Sequence, residues 1–185
     1  MKLPASIARW FGGDPSRDEA ARLYAAVSLQ ARRPEPFSDL GVPDSLDGRF
    51  DMLCLHMFLM VRRLSREGPR GAELVQGLYE EMFADMDRTL REMGVGDLGI
   101  GKRVTQMAEG LMGRIKAYGE ALDAGDEPLA GAIHRNLHAG AAGIALPWIG
   151  RIARYIRESD AALAAQDIGS LLAHGPRFAG WDVAP

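Results

Sequence analysis

The chain has 185 residues, enough for one domain with a single continuous core. An apolar fraction of 47% beside 25% charged residues excludes a disordered chain. A formal net charge of −3 argues against DNA binding through bulk positive charge, and the lone Cys54 excludes an intramolecular disulfide.

Residues 1–13 read as a short N-terminal helix ending at Gly12-Gly13, and residues 14–185 as one helical domain. Ile7, Trp10 and Phe11 beside Lys2 and Arg9 suit a weak contact with a membrane surface. The start lacks the continuous apolar core and cleavage site of a secretory signal. The longest apolar run, Met52 to Val61, is broken by His56 and closed by Arg62-Arg63. It is about half of the roughly 20 residues that a membrane-spanning helix needs. A cytoplasmic or membrane-peripheral protein is expected.

Ser16-Arg17-Asp18-Glu19 has the form of a capping box. The helix it would start carries Ala20, Leu23, Tyr24, Val27 and Ala31 on one face and stops at Pro34 and Pro36. Ser38 to Gly48 reads as a loop, with Asp47 placed to cap the next helix. That helix, Gly48 to Glu67, is apolar on almost every side and belongs at the bundle centre, with Gly68-Pro69 as its terminator. A helix from Gly71 to Met93 turns Leu74, Leu78, Met82, Met86, Leu90 and Met93 inward. After a glycine turn, Val104, Met107, Leu111, Ile115, Tyr118 and Leu122 recur with a clean helical period. Gly125-Asp126 ends this helix, and Asp126-Glu127-Pro128 starts a shorter one through His138. Pro147 opens a helix with Trp148, Ile152, Tyr155 and Ile156, and Asp167 to Ala173 forms a last short helix before a loose tail, Gly175 to Pro185. No alternating strand pattern is present. The fold class is all-α, a single-domain irregular bundle of about six to eight helices.

The stretch Met82 to Lys102 is the densest in signals. Gly94-Val95-Gly96-Asp97-Leu98-Gly99 has the G-x-G-x-x-G spacing of a dinucleotide site, but it follows a helix rather than a strand. Gly96, Gly101 and Lys102 match most of a phosphate-binding loop, yet Arg103 stands where a magnesium-binding Ser or Thr belongs. Neither nucleotide reading survives. Glu81, Asp85, Arg88 and Glu92 are spaced for ion pairs along a helix, as are Asp87 and Arg91, each pair worth about 0.2–0.5 kcal/mol. Lys102 and Arg103 at a helix start oppose the helix dipole, which calls for a compensating acid such as Asp97 or Asp85, or for a partner.

His134 and His138 share a helical face, but Arg135 stands where a zinc hydrolase has its Glu. His56 in the apolar helix reads as a core histidine satisfied by a carboxylate or carbonyl, with heme ligation as the alternative. No catalytic triad, metal site or cofactor site is assigned.

Three stretches carry a family resemblance: GVPDSLDGRFDMLCLHMFLMVRRL from Gly41, MFADMDRTLREMGVGDLGIGKRVTQMA from Met82, and GRIKAYGEAL from Gly113. They resemble the ubiquinol–cytochrome c chaperone family, bacterial relatives of the mitochondrial assembly factor for cytochrome b. The resemblance implies a non-enzymatic, all-helical chaperone without a cofactor. It would bind newly made cytochrome b and support assembly of ubiquinol–cytochrome c reductase at the cytoplasmic face of the bacterial inner membrane. The mitochondrial relative works with a small partner protein near the ribosomal tunnel exit, and whether either contact carries over stays open. A heme- or lipid-type small-molecule binder is the alternative. A chaperone for an apolar client needs exposed apolar surface rimmed by charge. Val95, Leu98 and Ile100, flanked by Asp97, Lys102, Arg103, Asp85, Arg88 and Arg91, are the client-binding candidates.

Overall fold

The computed structural model describes residues 15–137 and 146–181, apart from the side chains of Pro15, Leu98 and Leu146. The proposed N-terminal surface helix, with Ile7, Trp10 and Phe11, lies outside the described residues, as does His138. All regular structure among the described residues is helical.

Helix α1 (Pro15–Ala31) is followed by a single turn, α2 (Glu35–Ser38), inside the segment expected to be loop. Next come α3 (Leu46–Leu64), a 3-10 turn (Ser65–Glu67), α4 (Gly68–Glu92) and α5 (Asp97–Ala124). The chain closes with α6 (Asp126–Asn136), α7 (Leu146–Ala165) and α8 (Ile168–His174). Helix α3 packs against α1, α4, α5 and α7, so it occupies the centre, as its all-round apolarity requires. Met52, Leu55, Met57, Leu59 and Met60 are fully buried along it. The predicted faces of α1 and α4 are buried as well, except Met93, which is 56% exposed because α4 has ended one residue before it. Along the predicted stripe of α5, Leu111, Tyr118 and Leu122 are buried, while Val104 and Met107 stay half-buried near its start. Helices α1 and α4 approach closely enough that a Cβ on Gly77 would lie 2.5 Å from Ala20 Cβ.

Several local expectations need correction. Ser16 lies inside α1, and it and Glu19 take the Arg70 guanidinium of α4 as donor instead of forming a capping box. The cap of α3 is Ser45, whose Oγ accepts from the Gly48 N–H at 3.1 Å. Asp47 falls in the first turn, where its carboxylate still complements the helix dipole. Pro69 opens α4 rather than merely ending α3, because a first-turn proline has no N–H to leave unpaired.

The tail is not loose as far as Trp181. Arg177 N–H donates to Gln166 Oε1 at 2.7 Å, Gln166 Nε2 donates to Gly175 O at 3.2 Å, and Ala179 N–H donates to Ser159 Oγ at 3.1 Å. The Trp181 ring stacks on Tyr155 with centroids 3.5 Å apart. Arg63 is buried rather than a boundary marker. Its Nε and Nη2 donate to the carbonyls of Leu163 (2.8 Å) and Gln166 (2.7 Å), closing the C-terminal end of α7.

Candidate functional site

The turn between α4 and α5 is built by a helix-terminating motif. Val95 N–H donates to Leu90 O at 3.0 Å and Gly94 N–H to Arg91 O at 2.9 Å, the paired bonds of a Schellman end. Gly94 has φ of 79°, the left-handed conformation that this motif requires. Gly96 then caps α5 with extended backbone. These glycines therefore serve chain reversal, and the helix begins earlier than the sequence suggests, at Asp97. Lys102 and Arg103 consequently sit in the second turn, beyond the reach of most of the dipole cost expected for them.

The structure divides the predicted site residues. Ile100 is 3% exposed and belongs to the core, so it offers no free docking surface. Val95 is half-buried, and the Leu98 side chain lies outside the described residues. Arg91 ties the corner together, with Nε donating to Asp87 Oδ2 and Nη1 to Asp97 Oδ1, each at 2.7 Å. Both pairs are solvent-exposed and stabilise only weakly. Lys102 and Arg103 are exposed and have no ion pair among the described residues.

Asp85 is the most constrained member of the set. Tyr24 of α1 donates its hydroxyl to Oδ2 at 2.8 Å, Arg88 donates to Oδ1 at 2.6 Å, and Arg32 stands 3.6 Å away. Burial pushes the Asp85 carboxyl upward, but these hydrogen bonds and guanidinium charges outweigh it and leave its pKa below the ordinary 3.8. The same burial and the same carboxylate raise the Tyr24 phenol.

Asp85 also lines a cleft that no single sequence segment reveals. A pocket of about 250 Å³ lies where α1, α3, α4 and α5 converge, floored by Phe50, Leu53, Met86, Leu90 and Met107. A second, of about 430 Å³, continues it past Arg103 and Gly110 and shares Leu46, Phe50, Leu90 and Met107. Leu46 is 39% exposed here. Arg32 and Arg49 stand at the first pocket and Arg103 at the second. Toward the core, Arg114 of α5 donates to Asp51 of α3 at 2.5 Å and lies over the Phe50 ring, 5.5 Å from its centroid. Of the predicted residues, then, Asp85 lines the first pocket and Arg103 the second, and Arg88 holds Asp85. Arg91 and Asp97 fasten the neighbouring turn.

The apolar floor escaped sequence reasoning. Leu46, Phe50 and Leu53 form a stripe at helical spacing on a helix that is apolar all round, and only docking shows which stripe is left partly open.

His56 is a core histidine, as expected, with both ring nitrogens engaged. Nδ1–H donates to Met52 O at 2.8 Å, so Nε2 accepts the Tyr155 hydroxyl at 2.7 Å. Tyr155 in turn accepts from Gln30 Nε2 at 3.0 Å, and Phe178 and Trp181 pack edge-on to the imidazole. Burial lowers the His56 pKa to about 4. Ligation by His56 would break one of two buried hydrogen bonds. His134 is exposed, and no group of three metal-binding side chains occurs among the described residues. No helix there is long and apolar enough to cross a membrane.

The chain matches the family described as ubiquinol-cytochrome C chaperone over residues 38–178. It is 26% identical over 118 residues to ubiquinol-cytochrome-c reductase complex assembly factor 1 of Xenopus laevis, covering 64% of this chain and 59% of the frog protein. The human counterpart is 26% identical over 116 residues, covering 63% of this chain and 39% of its own length. The match thus spans less than two thirds of these relatives. The crystal structure of the Cbp3 homolog from Brucella abortus superposes with a TM-score of 0.78 at 32% identity, covering 90% of this chain and 92% of that one. The family match takes in α3, α4 and α5, the three helices that supply most of the cleft, and with the likeness of fold it leads to one conclusion: this chain belongs to the ubiquinol–cytochrome c chaperone family.

Proposed function

We propose that this protein is a non-enzymatic chaperone that binds newly made cytochrome b and supports assembly of ubiquinol–cytochrome c reductase. It would work at the inner face of the bacterial inner membrane, with the client held in the cleft between α3, α4 and α5. The observation that carries the reading is the cleft itself: an apolar floor left partly open, with the carboxylates of Asp51 and Asp85 already satisfied. An unsaturated apolar surface on a rigid helical scaffold suits a client whose own apolar segments await partners. Arg103 brings exposed charge to the second pocket, and Asp97 and Lys102 add more at the neighbouring corner.

Deleting the gene should lower cytochrome b content and reductase activity while other respiratory complexes stay intact. Normal reductase assembly in a deletion strain lacking any homologue would count decisively against the proposal. Photocrosslinkers at Phe50, Met107 and Lys102 should capture cytochrome b in living cells, whereas one at Glu80 on the opposite side of α4 should not.

A further inference from the structure

The charge around the cleft is asymmetric in what it leaves available. Asp51 is 5% exposed and bound to Arg114, while Asp85 is held by Tyr24 and Arg88, so neither carboxylate is open to an incoming cation. Asp47 is exposed, but it lies in the first turn of α3, where the positive helix end favours it. The cations are different. Arg32 stands 3.6 Å from Asp85 yet keeps 60% of its side chain exposed, and Arg49 donates to the exposed Asp44 at 2.7 Å and keeps 55%. Such exposed pairs are weak enough to exchange for a new carboxylate, and Arg103 has no ion pair among the described residues. Between them runs the elongated apolar floor, with Met86 and Met107, whose unbranched side chains adapt to varied surfaces. An apolar cleft between packed helices, edged by guanidinium groups, has the form that receives an amphipathic helix.

We propose that the cleft receives an amphipathic helix whose apolar face lies on Phe50 and Met107 and whose flanking carboxylates pair with Arg32, Arg49 and Arg103. This deepens the client-binding reading and rests on it for the identity of the client, but the acidic-helix preference belongs to the cleft alone. Planar guanidinium groups take carboxylates in two-point hydrogen bonds, so the rim selects acidic helices over basic ones.

Two helical peptides of about 18 residues, with one leucine face and either Glu or Lys beside it, are the probes for fluorescence anisotropy with the full chain. The Glu peptide should bind about tenfold more tightly, and Arg32→Glu with Arg103→Glu should reverse the order. Equal affinities, or an order unchanged in the double variant, would overturn the proposal. So would binding of vesicles with anionic lipid that the double variant abolishes while the peptide preference stays. Met107→Gln, which keeps the side chain's length, should weaken both peptides alike; unaffected binding would place the helix elsewhere. Cytochrome b pulldown separates the two readings. If the double variant reverses the peptide preference yet retains cytochrome b, the placement of cytochrome b in the cleft fails and the acidic-helix site stands.

Discussion

The Tyr155 hydroxyl donates to Nε2 of His56 at 2.7 Å, joining α7 to the middle of α3 between residues 99 apart in the chain. The Met52 carbonyl, which can only accept, fixes the imidazole proton on Nδ1 and so leaves Nε2 for this bond, and the Trp181 ring stacks on Tyr155 from the C-terminal segment. Tyr155→Phe should leave Nε2 buried without a donor and lower stability by about 1–3 kcal/mol, read from urea unfolding. An unchanged midpoint would mean that the bond contributes nothing to the fold.

The same histidine sets a pH dependence. Its pKa is about 4 in the folded state and 6.5 in the reference state, so between these values the unfolded chain binds the extra proton. The stabilising contribution is complete above pH 6.5 and is lost as pH falls toward 4, amounting to about 3 kcal/mol across the window. Asp85 acts lower, since its pKa lies below 3.8 and its contribution fades only beneath that value. His56→Gln should therefore flatten the stability profile between pH 6.5 and 4 and leave the acid limb below it. Parallel profiles for the two proteins would remove His56 from the account.

Tyr24 and Asp85 join α1 to α4 at the wall of the cleft. Tyr24→Phe should cost about 1–2 kcal/mol, because the lost bond runs to an ionised acceptor. A double-mutant cycle with Asp85→Asn should give a coupling of about 1 kcal/mol. Additive effects would show that the two side chains act independently.

Among the turn glycines, only Gly94 combines positive φ with the helix-terminating bonds. Gly94→Ala should destabilise by about 1 kcal/mol. Gly101, inside α5 with open space around it, should tolerate Ala and gain up to about 1 kcal/mol. Thermal unfolding of the two variants checks both signs, and equal losses would refute this division of roles.

Lys102→Glu with Arg103→Glu should reduce cytochrome b capture by about tenfold, as reversed rim charges do in complementary interfaces. Stability should move by no more than about 0.5 kcal/mol, since both residues are exposed. An unchanged pulldown with intact circular dichroism would take these two cations out of client binding.

Read alone, the sequence determined the long helices, the central place of α3 and the buried faces of α1 and α4. Apolar periodicity and chain breakers act within a few residues, so they survive without knowledge of the fold. The family motifs were legible for the same reason, being unbroken stretches. Only the tertiary structure decided where Ser16 and Glu19 spend their hydrogen bonds, that Ile100 faces inward, and that Asp85 is held by a tyrosine 61 residues earlier. It also decided that Arg63 closes α7 from 103 residues away and that Leu46, Phe50 and Met107 share one cleft. Each of these depends on how helices dock, and a helix with several apolar stripes does not state which one its neighbours will leave uncovered.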